Sequence, residues 1–145
     1  KEDFTEYYFI STLTDKKKKK NAKMKICNAG IHIPPFVINN CSGIERIEKM
    51  MPPITKAIDY KDYCKSEYEE VIDLSSNNTV FITTDGLIEE EKENQMFGEE
   101  TISKILIETS SFHPGVIKKE INKRFIDFSG SLQGKDDISF LLIQS

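Results

Sequence analysis

Apolar and polar residues alternate with a period of two through most of the first half of the chain, and the period lengthens to about 3.6 beyond Asp85. The runs "YYFISTL" (Tyr7 to Leu13) and "KMKICNA" (Lys23 to Ala29) are rich in aromatic and β-branched residues and flank a lysine run, which predicts a hairpin. "PPFVI" (Pro34 to Ile38) reads as a third strand, "NNCSG" as its turn and "IERI" (Ile44 to Ile47) as a fourth. The Met-Pro segment from Met50 to Pro53 interrupts the pattern. "EEVIDL" (Glu69 to Leu74) and "TVFIT" (Thr79 to Thr83) are expected to pair with each other through the turn "SSNN".

Beyond Asp85, Ile102, Ile105, Leu106 and Thr109 fall on one helical face behind a first turn carrying Glu99 and Glu100. A second helix is expected after Pro114, with Ile117, Ile121, Phe125 and Phe128 as its apolar stripe and Gly130 as its stop. Both stripes are core faces. The closing segment "KDDISFLLIQS" (Lys135 to Ser145) sets two carboxylates before a continuous apolar run and reads as a buried terminal strand. Many strands, then two helices, then one strand is an α+β order: an antiparallel sheet system covered by helices, not an alternating doubly wound fold.

A length of 145 residues predicts a single domain over 1–145, with 38% hydrophobic and 30% charged residues suiting a soluble globular chain. Apolar runs such as "FLLI" (Phe140 to Ile143) are far too short to span a membrane. The net charge of −4, from 24 acidic and 20 basic residues, disfavours a nucleic-acid partner. The cluster "DKKKKK" (Asp15 to Lys20) reads as a solvated hairpin loop, because like charges in a row resist packing. Cys27, Cys41 and Cys64 form no C-x-x-C pair, so they are expected to be reduced thiols in or near the core of a cytoplasmic protein. The opening "KEDF" carries neither an initiator Met nor a signal segment, and predicts a piece of something longer.

Candidate chemistry rests on carboxylates. Asp85 in "VFITTDGLIEE" is expected to end one buried strand and Asp136 to start another. Asp-Gly after an apolar run is, by itself, ordinary turn chemistry. If the two strands are antiparallel neighbours, however, both side chains reach the same sheet edge, where they repel unless a cation sits between them. Mg²⁺ or Mn²⁺ is the natural choice, since hard cations take carboxylate oxygens and no His/Cys cluster is present.

Four ordered blocks resemble the SpoIIE/RsbU-like branch of the metal-dependent, 2C-type serine/threonine protein phosphatases. They are "KICNAGIHIPPFVI" (Lys25 to Ile38), "VFITTDGLIEE" (Val80 to Glu90), "MFGEETISKIL" (Met96 to Leu106) and "GKDDISFLLIQ" (Gly134 to Gln144). The resemblance implies a 2C-type antiparallel β-sandwich flanked by helices. It implies Asp85 and Asp136 as metal ligands, with Gly86 and Asp137 beside the centre. It further implies a two-metal centre of Mg²⁺ or Mn²⁺, hydrolysis of phosphoserine or phosphothreonine on a signalling partner of the sigma-factor-regulator type, and no covalent phosphoenzyme. None of the three cysteines opens a C-x₅-R loop, and Thr83 stands where an aspartyl-phosphate phosphatase needs an Asp two residues before the Asp-Gly one.

The departures define the alternatives. The family's Ala-Gly-His order is here Ala29-Gly30-Ile31-His32, so His32 receives no catalytic role, and His113 is read as a helix-entry residue. The family's upstream Gly-Asp strand and Asp-x-x-Gly-x-Gly segment have no counterpart, so the domain is expected to be incomplete at its N-terminus. The chain alone is then expected to lack a complete active site, and to self-associate or pair with the missing N-terminal part. A non-catalytic, phosphatase-like interaction module and a plain α+β domain remain as other readings.

Overall fold

The computed structural model describes residues 7–14, 22–39, 43–53, 66–74 and 78–144. Strand β1 (Tyr7–Thr14) pairs antiparallel with β2 (Ala22–Ala29) along its whole length, from Tyr7 opposite Ala29 to Thr14 opposite Ala22. That is the expected hairpin; the lysine run at its tip lies outside the described residues, as do Cys41, Cys64 and most of the turn expected at 75–78. On its other side β2 pairs antiparallel with β6 (Glu70–Asp73) and, at Asn28 and Ala29, parallel with β5 (Met50–Met51). A second sheet runs in the order β10 (Phe140–Gln144), β7 (Thr79–Thr83), β3 (Phe36–Asn39), β4 (Gly43–Arg46), antiparallel throughout.

The strands of the second sheet alternate between two cores. Phe36, Ile38 and Phe81 face the helices, whereas Val37, Val80 and Ile82 join Met24, Ile26, Ile72 and Leu74 of the first sheet. Successive side chains of a strand point to opposite faces, so the second sheet is the middle layer of three. This position explains why every residue of β7 is buried while β6 alternates.

Helix α1 (Asp85–Ile88) is one turn long and is followed by a two-residue antiparallel pair, β8 (Glu91–Lys92) with β9 (Gln95–Met96); α2 (Gly98–Thr109) and α3 (Pro114–Ser129) form the outer layer. The expected stripes are the faces that are buried: Ile102, Ile105, Leu106 and Thr109 on α2, and Ile117, Ile121 and Phe125 on α3, with Phe128 half-buried against the same core. His113 enters α3 as its N-cap, its Nδ1 accepting from the Gly115 N–H at 3.1 Å. Phe97 packs edge-on against Phe125 and tilted against Phe128 at centroid distances of 5.4 and 5.5 Å, locking the start of α2 against α3. Arg46 lies 3.7 Å over the Phe36 ring and binds Glu99, tying β4 to α2.

Three sequence expectations are corrected. Glu69–Leu74 and Thr79–Thr83 do not pair: β6 lies beside β2, and β7 beside β3 and β10, so the connection crosses from one sheet to the other. The alternation along a strand shows which face is buried and leaves its partner open, because its hydrogen bonds are made to another part of the chain. The terminal strand is shorter than Lys135–Ser145 and is no buried strand; β10 begins at Phe140 and forms a half-exposed sheet edge, with Leu141 47% exposed. Asp85 does not end a strand; it opens the first turn of α1. Cys27 is half-buried beside the Met51 sulfur at 3.1 Å, and burial, aided by the Glu69 carboxylate, pushes its thiol pKa up.

Candidate functional site at the ends of β7 and β10

Where β7 leaves the sheet, the chain turns through Thr84, Asp85 and Gly86 and meets the segment that leads into β10. The register continues one step past the strands, with the Thr84 N–H donating to the Ser139 carbonyl at 3.0 Å. Thr84 also bridges with its side chain: Oγ1 donates to the Asp137 carbonyl at 3.0 Å and accepts from the Ser139 N–H at 3.0 Å. The Thr83 hydroxyl has the Ser139 carbonyl at 3.1 Å. The antiparallel pairing of β7 with β10 therefore puts the Asp85 turn and the Asp136–Asp137 segment at the same end of the sheet.

Gly86 shows how close they come. A Cβ at this position would lie 2.5 Å from the Asp137 carbonyl oxygen and 3.3 Å from the Asp136 carbonyl carbon. Only a residue without a side chain lets the two backbones approach so closely. The carboxylates are ordered locally. Asp85 Oδ1 accepts from the Gly86 N–H at 2.8 Å and Asp136 Oδ1 from the Asp137 N–H at 2.7 Å, and all three aspartates are exposed.

A fourth acidic residue lies behind this pair. Glu90 is only 8% exposed, and its Oε2 accepts from the Lys135 N–H at 2.8 Å. Thr84 and Glu90 thus hold the Asp136 segment from its two sides, a role that sequence reasoning assigned to neither. Glu90 sits inside the acidic run Glu89-Glu90-Glu91, where no periodicity marks the buried member. His32 is exposed in the loop before β3. Among the described residues no group of three or more His, Cys, Asp or Glu side chains is placed to hold a metal ion. A cavity of about 360 Å³ opens between β4 and β6, and neither Asp85 nor Asp136 lines it.

Gly86→Ala is expected to destabilise the chain by about 1–3 kcal/mol, since the added methyl meets backbone and not a movable side-chain tip. Urea unfolding measures it. A loss within experimental error would show that the turn and the Asp136 segment are not in contact.

The chain matches, over residues 1–145, the family model described as stage II sporulation protein E (SpoIIE). No curated protein matches it by direct comparison. Among solved structures it is similar to the SiaA-PP2C domain of Pseudomonas aeruginosa, with a TM-score of 0.60 at 14% identity, covering 86% of this chain and 51% of that one. It is similar also to the phosphatase domain of SpoIIE from Bacillus subtilis, presoaked with Mn, with a TM-score of 0.56 at 13% identity, covering 95% and 56%. The RsbU and RsbW domains of Rv1364c from Mycobacterium tuberculosis give a TM-score of 0.52 at 16% identity, covering 86% and 34%. At these identities the likeness is one of fold: the α+β sandwich is that of 2C-type phosphatase domains. The chain spans about half the length of the first of these structures.

Proposed function

The chain belongs to the stage II sporulation protein E (SpoIIE) family, and from that premise we propose that it forms part of a metal-dependent phosphatase domain removing phosphate from serine or threonine of a signalling protein. Residues 1–145 are read as one stretch of that domain, acting in the cytoplasm on a partner of the sigma-factor-regulator type. The observation that supports the reading is the close approach of Gly86 to the Asp136–Asp137 backbone, which brings the two segments carrying Asp85 and Asp136, both exposed, to one end of the sheet.

The donor chemistry suits a hard cation: the side chains of Asp85, Asp136 and Asp137 offer oxygen alone. Asp85 and Asp136 are the proposed ligands of Mg²⁺ or Mn²⁺, and Gly86 and Asp137 flank them. Each carboxylate uses Oδ1 on the following amide, which fixes its plane and leaves Oδ2 for a cation. A divalent cation bound there supplies an activated water and neutralises phosphate oxygens. The chain's own contribution is rigidity, because Thr84 joins both ligand-bearing segments by side-chain hydrogen bonds. No membrane role follows from the helices, none of which, among the described residues, is long and apolar enough to cross a bilayer.

A second reading, a non-catalytic interaction module of the same fold, is favoured by one observation: among the described residues no three His, Cys, Asp or Glu side chains are placed to hold a metal ion. Hard cations take six or more oxygens each, so a two-metal site needs ligands beyond these. The deciding measurement is release of phosphate from a phosphoserine peptide with millimolar Mn²⁺, for this chain and for one extended upstream. Turnover is expected only from the extended protein, and the short chain is expected to self-associate or to need the upstream part in trans. Inactivity of both sinks the phosphatase reading; comparable activity from the short chain would mean its own residues complete the site.

A further inference from the structure

Three consecutive glutamates, Glu89, Glu90 and Glu91, follow α1, yet only the middle one is buried, at 8% exposure. Burial of a carboxylate is costly unless hydrogen bonds offset it, so a buried Glu in an exposed acidic run calls for a partner. The partner is the backbone N–H of Lys135, 2.8 Å from Oε2 and one residue before Asp136. The surroundings are built for this contact. A Cβ on Gly134 would lie 3.1 Å from Glu90 Oε2, 2.8 Å from Ile138 Cδ1 and 3.2 Å from the Asp136 carbonyl oxygen, so a bare backbone is what lets the loop fold over the carboxylate.

The Glu90 backbone is itself anchored, since its carbonyl accepts from the Phe97 N–H at 2.8 Å and Phe97 is packed between Phe125 and Phe128. Rigidity therefore passes from the helical core through Phe97 and Glu90 to Lys135. On the far side Thr84 grips the Asp137 carbonyl and the Ser139 N–H. Asp136 lies between the two grips.

We infer that Glu90 is a positioning residue for Asp136: its buried carboxylate holds the Lys135 amide and so fixes where the Asp136 side chain stands relative to Asp85. Glu90 is not a third ligand, because no set of three acidic side chains converges among the described residues. A charge-assisted hydrogen bond to a backbone amide is both short and directional, which suits it to holding a loop. The inference rests on the metal-site reading of Asp85 and Asp136.

The test is Mn²⁺ affinity, measured by calorimetry on the full-length protein, together with hydrogen exchange of the Lys135 amide. Glu90→Ala is expected to weaken Mn²⁺ binding by roughly 10–100-fold, the usual cost of losing a group that orients a ligand, and to speed exchange at Lys135. Glu90→Gln keeps an oxygen for the same N–H and is expected to bind Mn²⁺ within about twofold of the parent. Gly134→Ala, which crowds the carboxylate without removing it, should weaken binding to an intermediate degree and serves if Glu90→Ala fails to fold. Unchanged affinity in Glu90→Ala and Gly134→Ala, or equal losses in the Ala and Gln variants, overturns the positioning role while leaving the metal site standing. Absence of Mn²⁺ binding by the parent overturns both.

Discussion

Asp136→Asn in the complete domain is expected to lower turnover of a phosphoserine peptide by at least about 100-fold, beyond the range for groups that merely orient a ligand, while leaving the unfolding midpoint in place. The two halves of this expectation have separate causes. Asn keeps the Oδ1 that accepts from the Asp137 N–H, so the local turn survives. What is lost is the negative charge, and a hard cation held by neutral amide oxygen in place of carboxylate is bound more weakly. The side chain is exposed, so the stability change should stay within about 0.5 kcal/mol. On the proposed metal-site geometry its sign should favour the variant in the absence of metal, because one of two like charges is then gone. Phosphate release and chemical unfolding on the same preparation check both halves. A variant that unfolds would give Asp136 a structural role; one that keeps full activity would remove it from the ligand set.

Phe81→Ala carries the largest expected cost in stability, about 3–5 kcal/mol, as for other large core aromatics cut to a methyl. The ring is fully buried and stands 5.7 Å from Phe36 and 5.6 Å from Phe140, so it joins β3, β7 and β10 on the face the helices cover. No neighbour can collapse easily into the space, since the Phe36 and Phe140 side chains are held on their own strands. Thermal unfolding should show a fall of roughly 6–20 °C, taking about 2–4 °C per kcal/mol for a chain of this size. Leu141→Ala, on the half-exposed edge strand, is the control and should cost less than about 1 kcal/mol. Equal losses at the two positions would mean that β10 is covered in solution. The Phe81 variant should also loosen the site, because β7 runs directly into Thr83 and Thr84.

The sequence by itself determined which residues of the two long helices turn inward. Ile102, Ile105 and Leu106 on one helix, and Ile117, Ile121 and Phe125 on the next, are buried where the 3.6 period puts them. Periodicity is a local property, and a helix makes all its backbone hydrogen bonds within itself. The β1–β2 hairpin was legible for the same reason, as neighbouring runs closing on a short loop. Asp85 and Asp136 were legible as polar breaks beside apolar runs.

Tertiary structure alone decided the rest. A strand's alternation tells which face is buried and says nothing of which strand lies beside it, because its hydrogen bonds are made to another part of the chain. So β6 was free to join β2, leaving β7 in the middle layer between β3 and β10. The same holds for the site. Gly86 touches the Asp136–Asp137 backbone, Thr84 bonds across to Asp137 and Ser139, and Glu90 reaches Lys135, each contact spanning some 45 to 55 residues of chain. No window of sequence contains both ends of such a contact, and only the folding of β10 against β7 brings them together.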